Sequence, residues 1–214
     1  MTISIAQARE WYTDNDTVHD FEHVLRVLRM AERIGKAEGA DLEIIRAAAL
    51  LHDSKGAAPG GDGSERQEHH LTSAVFAGEV LQAEGWAPER IRAVQHCIRS
   101  HRFRAKDEQP ETLEARCLFD ADKLDVLGAI GVARTIAYAT LEGQPAFAEP
   151  STKFLESREL EEGEPYSSYH EYLFKLRQVK DRLLTRTGQA IAVQRATFLD
   201  AFYEQLRAES SGER

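Results

Sequence analysis

The sequence predicts an all-α protein, and three observations carry that expectation. Apolar residues recur at spacings of three and four along most of the chain, the period of a helix that buries one face. The apolar–polar alternation of a half-buried strand is scarce. Helix-starting residues such as Asp41, Pro88 and Pro110 stand just ahead of the periodic segments, where a cap or a first-turn proline belongs.

The elements follow in order. Residues 3–13 read as a short helix. Thr17 with Asp20 resembles a capping signal for a second helix that reaches Gly39. Phe21, Val24, Leu25, Leu28 and Ala31 form its buried stripe, and His23 shares a face with Val27, Met30 and Ile34. The third helix is an apolar run, Ile44-Ile45-Arg46-Ala47-Ala48-Ala49-Leu50-Leu51, which ends in His52-Asp53. Residues 55–63 form a loop punctuated by Pro59, Gly60, Gly61 and Gly63. A fourth helix begins near Glu68 or His70 and runs to Gly85, with Val75, Val80 and Leu81 on its inner side. A fifth runs from Pro88 to about His101 and ends in a basic stretch of Arg99, Arg102, Arg104 and Lys106. The sixth, from Pro110, carries Cys117, Leu118, Asp120, Asp122, Leu124 and Asp125. Gly128 and Gly131 permit close packing or a kink before a seventh helix that ends near Gly143. Residues 144–165, broken by three prolines, read as a polar surface segment, and two outer helices follow at about 167–186 and 189–208.

Composition narrows the class. A chain of 214 residues with 42% hydrophobic residues has ample length for a core and fits one large domain or two small ones. Asp and Glu number 36 against 27 Lys and Arg, a net charge of -9, which argues against broad binding to nucleic acid or anionic membranes. Cys97 and Cys117 form no disulfide framework and sit on helix stripes, as core residues do. No secretory leader and no membrane-spanning run is legible, so the cytoplasm is the expected location.

Four residues stand out together: His23, His52, Asp53 and Asp122, each on or near the inner face of an apolar helix. A buried carboxylate is costly unless it is paired or binds a cation. Two imidazoles and two carboxylates make a nitrogen–oxygen set suited to one divalent ion of the Mn, Mg, Fe, Ni, Co or Zn group.

The segments around these residues resemble a known family. His19-Asp20-Phe21-Glu22-His23-Val24-Leu25-Arg26-Val27, then Ala47-Ala48-Ala49-Leu50-Leu51-His52-Asp53-Ser54-Lys55, then Phe119-Asp120-Ala121-Asp122-Lys123-Leu124-Asp125-Val126-Leu127-Gly128 are similar, in this order, to the signatures of the HD-domain superfamily of metal-dependent phosphohydrolases. The resemblance spans about residues 17–140, and the last two helices resemble the tail of a bacterial subgroup acting on nucleotides. It implies a single HD-type helical bundle over residues 1–214, with a C-terminal extension over about 166–208. It also implies hydrolysis of a phosphoester or phosphoanhydride in a small phosphorylated substrate, a nucleotide first of all.

By the same resemblance His23, His52, Asp53 and Asp122 are the metal ligands. His19 and Asp120 are the weaker alternatives within their signatures. Asp53, His70 and His101 are the expected catalytic groups, with His69 the alternate to His70. Lys55, Arg26, Arg102 and Arg104 are the expected substrate contacts. His96 and His170 are assigned structural or surface places. The Gly-Tyr-Pro motif of the cyclic-dinucleotide hydrolases is absent, which argues against that activity. An HD-type di-iron oxygenase and a nucleotide sensor without turnover are the alternative readings, and a homodimer is compatible with the sequence.

Overall fold

The computed structural model describes residues 3–12, 21–55, 65–102 and 108–214, with backbone alone at 65–68. Among these residues every regular element is helical and there is no strand, so the all-α expectation holds. The chain forms two compact units: Met1–Lys123 with Leu184–Gly188, and Leu124–Leu183 with Gln189–Arg214. No single helix among the described residues is long and apolar enough to cross a membrane.

The first unit contains α1 (Ile5–Arg9), α2 (Phe21–Glu38), α3 (Leu42–Leu51), α4 (Glu65–Ala83), α5 (Pro88–Ser100) and most of α6 (Leu113–Leu124). Helix α3 is its axis, packed against α2 and α5, with α4 laid along α5. Seven of its ten residues are buried, which removes the polar face that a surface helix would keep. Asp41 starts it by accepting hydrogen bonds from Glu43 N (2.9 Å) and Ile44 N (3.2 Å), and Arg90 holds that carboxylate from α5. Gly35 lets α2 close on α3, because a Cβ there would lie 2.3 Å from Ile45 Cδ1. Thr112, two residues past Pro110, caps α6 through its hydroxyl, which accepts from Ala115 N at 3.2 Å.

The rotation of α4 differs from the sequence expectation. Ala74, Ala77 and Leu81 face the core, whereas Val75 is 61% exposed. Apolar and polar residues are spread almost evenly round α4, so its pattern does not define one face. Small residues win the inner side because α5 comes close there: a Cβ on Gly78 would meet Gln95 Nε2 at 2.4 Å.

The second unit contains α7 (Gly128–Leu141), α8 (Thr152–Ser157), α9 (Ser168–Glu171), α10 (Arg177–Val179) and most of α11 (Arg186–Ser210). Gly128 adopts φ +70°, and a Cβ on Gly131 would collide with the Val126 carbonyl at 2.2 Å, so both glycines are required where the chain turns into α7. The segment 144–165 is anchored and not merely superficial, since it carries α8 and buries Phe154. The helix expected over 167–186 is interrupted. A π-helical stretch (Tyr172–Leu176) separates α9 from α10, a 3-10 turn follows at Lys180–Arg182, and Leu183 is extended. Tyr172 stacks on Tyr203 of α11 at 4.4 Å and donates to Asp200 at 2.9 Å, contacts that hold the wider turn.

Candidate metal centre

The site is built where α3 ends. The last carbonyls of a helix lack intrahelical partners. Here three consecutive ones are taken by side chains: Ala49 O by His52 Nδ1 (2.8 Å), Leu50 O by the Tyr12 hydroxyl (2.9 Å) and Leu51 O by Ser54 Oγ (2.9 Å). These bonds set His52 and Asp53 in fixed orientations inside the protein, His52 fully buried and Asp53 5% exposed.

A carbonyl only accepts, so Nδ1 of His52 carries the proton and Nε2 faces inward. The end of α5 repeats this device, with His101 Nδ1 donating to Ile98 O at 2.6 Å. Both Nε2 atoms turn toward Asp53, at 3.2 Å from Oδ2 for His52 and 3.6 Å from Oδ1 for His101. His23 of α2 brings its Nε2 to 3.7 Å from Asp53 Oδ2 and 3.4 Å from Asp122 Oδ1. His69 of α4 brings its Nε2 to 3.5 Å from Asp53 Oδ1. One carboxylate therefore faces four imidazoles. Ligand atoms of His23, His52 and Asp53 converge within 4.8 Å, and so do those of Asp53, His69 and His101.

An imidazole lone pair pointed at a carboxylate is repulsive, and the arrangement calls for a cation between them, either a proton or a metal ion. Burial alone would lower the pKa of His52, but Asp53 and then Asp122 outweigh it and push it up to about 9. Asp122 behaves conversely. Its burial would raise its pKa, yet the Lys123 ammonium, His23 and His101 hold it well below the usual carboxylate range. Nε2 of His52 is sealed from water and, among the described residues, has no hydrogen-bond partner of good geometry. A buried nitrogen–oxygen donor set of this kind fits a divalent ion, which would satisfy carboxylate and lone pairs together.

The remaining expected residues fall as follows. His23, His52, Asp53 and Asp122 are brought together, and His101 joins them through Asp53. His69, the alternate to His70, reaches Asp53. The inner face of α4 claims His70, which is 7% exposed, and its neighbour is left turned to the site. Asp120 is engaged elsewhere, accepting from Leu184 N (2.8 Å), Thr185 N (2.7 Å) and Thr185 Oγ1 (2.6 Å). Lys55 is exposed and rests its Nζ 3.9 Å above the Phe76 ring. Arg26 and Arg102 are partly buried, while Arg104 and His19 lie outside the described residues.

Within the basic stretch Arg99 is committed to structure. It grips Glu108 through Nε (2.6 Å) and Nη2 (3.0 Å), and His96 donates to the same carboxylate at 2.6 Å. Two residues of the site went unnoticed in the sequence. Lys123 places Nζ 2.5 Å from Asp122 Oδ2, and its position next to a ligand was the available signal. Tyr12 holds the end of α3, and no motif marks it.

The HD domain family profile matches residues 20–127. The chain is 30% identical to the Bacillus subtilis (strain 168) protein YpgQ over 213 residues, 96% of this chain and 93% of that one. The crystal structure of YpgQ in complex with ADP superposes with a TM-score of 0.73 at 28% identity, covering 96% of this chain and 97% of that one. An HD-superfamily hydrolase from Bacillus thuringiensis gives 0.72 at 26% identity, with 97% and 94% covered. A predicted HD-superfamily hydrolase from an uncultured Thermotogales bacterium gives 0.63 at 26% identity, with 96% and 90% covered.

Proposed function

This chain belongs to the HD domain family, and from that premise we propose that it is a divalent-metal-dependent phosphohydrolase cleaving a phosphoester or phosphoanhydride bond in a nucleotide. One observation carries the reading. His23, His52 and Asp53 aim nitrogen and oxygen donors at one buried point, and among the described residues His52 Nε2 has no hydrogen-bond partner of good geometry there. ADP in the crystal structure of the relative YpgQ supports the nucleotide class.

In this reading His23, His52, Asp53 and Asp122 hold one ion, of the Mn, Mg, Fe, Ni, Co or Zn group. Such an ion acidifies a water molecule and neutralises charge on a phosphoryl oxygen. The protein's own groups do the rest. Asp53 orients the attacking water by accepting from it. His101 keeps Nδ1 on Ile98 O, so any proton it takes or gives passes through Nε2. Lys55, Lys123, Arg26 and Arg102 oppose the charge that spreads over the phosphoryl oxygens in the transition state. Arg104 is assigned the same role from the sequence. His69 reaches Asp53 and takes the proton-transfer or phosphate role first expected of His70.

A second reading, with two ions, is favoured by the second convergent group of Asp53, His69 and His101. The experiment is metal analysis followed by phosphate and pyrophosphate release from a panel of nucleoside mono-, di- and triphosphates with each divalent ion. Metal-dependent release from at least one nucleotide is expected. An ion bound with no release from any of them would make the protein a sensor, and the absence of any bound ion would overturn the reading. One ion per chain against two, with the second lost in His69→Ala, separates the two forms.

A further inference from the structure

We propose that Phe76, backed by Trp11, is a positioning residue that seats Lys55 for the substrate phosphate. The proposal rests on the reading of Lys55 as a phosphate contact and says how the protein holds it there. Lysine carries a compact charge on a flexible four-carbon stem, and an exposed one loses considerable rotamer freedom when it binds. Lys55 has both ends restrained. Its backbone N donates to Ser73 Oγ at 3.1 Å, and Ser73 is fully buried. Its Nζ stands 3.9 Å from the centroid of Phe76, within the range in which a ring face attracts a cation. Trp11 meets Phe76 edge to face at 5.6 Å, with an interplanar angle of 83°, a contact that restrains the ring's tilt.

The seat is tied to the metal centre by helical spacing. Ser73 and Phe76 lie four and seven residues beyond His69 on α4, so the three share one face. Lys55 itself lies two residues beyond Asp53. The helix that turns His69 toward Asp53 therefore also carries both restraints on Lys55. A phosphate arriving at the site meets an ammonium already held near its working place, without the cost of ordering it.

The test is a double-mutant cycle on ADP binding, measured by calorimetry with the Mn-loaded full chain. Phe76→Leu should weaken ADP binding about two- to fivefold, the value of one exposed cation–ring contact, with Mn content unchanged. Phe76→Tyr should restore it. In a Lys55→Ala background Phe76→Leu should have no further effect, because there is nothing left to seat. Trp11→Leu provides the same comparison if Phe76→Leu does not fold. A Phe76→Leu effect of equal size with and without Lys55 overturns the proposal and leaves Phe76 as packing. An effect of Lys55→Ala with none from Phe76→Leu overturns the seat alone. If Lys55→Ala is silent, or the parent binds no ADP, the phosphate or nucleotide reading has failed, and the seat with it.

Discussion

Two clusters that pair histidine with carboxylate differ in one respect: the protein finishes the hydrogen bonds of one, around Glu164, and not those of the other, around Asp53. In the second unit Glu164 accepts from Ser151 N (2.7 Å) and His170 Nε2 (3.0 Å) on one oxygen, and from Ser151 Oγ and Glu161 N (both 2.7 Å) on the other. The other nitrogen of His170 is met by Ser167 Oγ at 2.7 Å, and Phe154 packs on its ring at 4.6 Å. Burial pushes the Glu164 pKa up, but the hydrogen bonds from Ser151, Glu161 and His170 win and bring it down to about 2. In the first unit Asp53 is ringed by imidazole nitrogens. Two of those imidazoles, His52 and His101, have already spent a proton on a backbone carbonyl. The residue types match, yet one carboxylate meets N–H and O–H donors supplied by folding, while the other meets groups that need a cation to coexist with it. A buried His–carboxylate contact is thus informative only after its hydrogen bonds are followed outward.

The comparison breaks most visibly at Asp53. Asp53→Ala should abolish turnover and weaken Mn binding by more than the roughly 10- to 100-fold typical of outer residues around a metal, read by metal analysis after dialysis. Full metal retention would refute the ligand assignment. His101→Ala comes next. It should cut turnover by about two to four decades if Nε2 relays a proton, with the ion that His23, His52, Asp53 and Asp122 hold retained, as rate and metal content on one sample will tell.

Glu164 tests the opposite half. Its pKa is depressed in the folded state, so its contribution is present above the ordinary glutamate range, near 4.5, and fades as pH falls toward about 2. Denaturant titrations from pH 6 to pH 2.5 should show that loss in the parent and a shallower one in Glu164→Gln. Metal content should be unchanged in the variant at pH 7. A Glu164→Gln protein that loses metal would erase the distinction between the two clusters. The smallest effect is expected at Tyr12. Tyr12→Phe removes one hydrogen bond from the end of α3 and should cost about 1 kcal/mol in chemical unfolding. A loss of metal affinity larger than that would move Tyr12 from support of the helix end into the site proper.

Much of this was legible in the chain itself. Asp41, Pro88 and the three- and four-residue apolar spacings mark α2, α3 and α5 because caps and periodicity are local properties of the backbone. The quartet His23, His52, Asp53 and Asp122 was legible for the same reason, since each rides an amphipathic or buried helix whose inner face can be counted from the sequence. Local period leaves the rotation of a helix undetermined where apolar and polar residues are spread evenly round it, as in α4. Adjacent residues on a helix point about 100° apart, so the choice between His69 and His70 waited on the packing of α4 against α5. Long-range partners are equally invisible to periodicity. The residues near 184 that occupy Asp120, the Phe76 ring beneath Lys55 and the four donors on Glu164 were all decided by tertiary packing. The sequence by itself determined the main helices, α2, α3 and α5 foremost, and which residues could bind a cation; it did not show α8 or the break after α9. The tertiary structure alone decided which of those residues have their hydrogen bonds completed, because distant parts of the chain supply the donors.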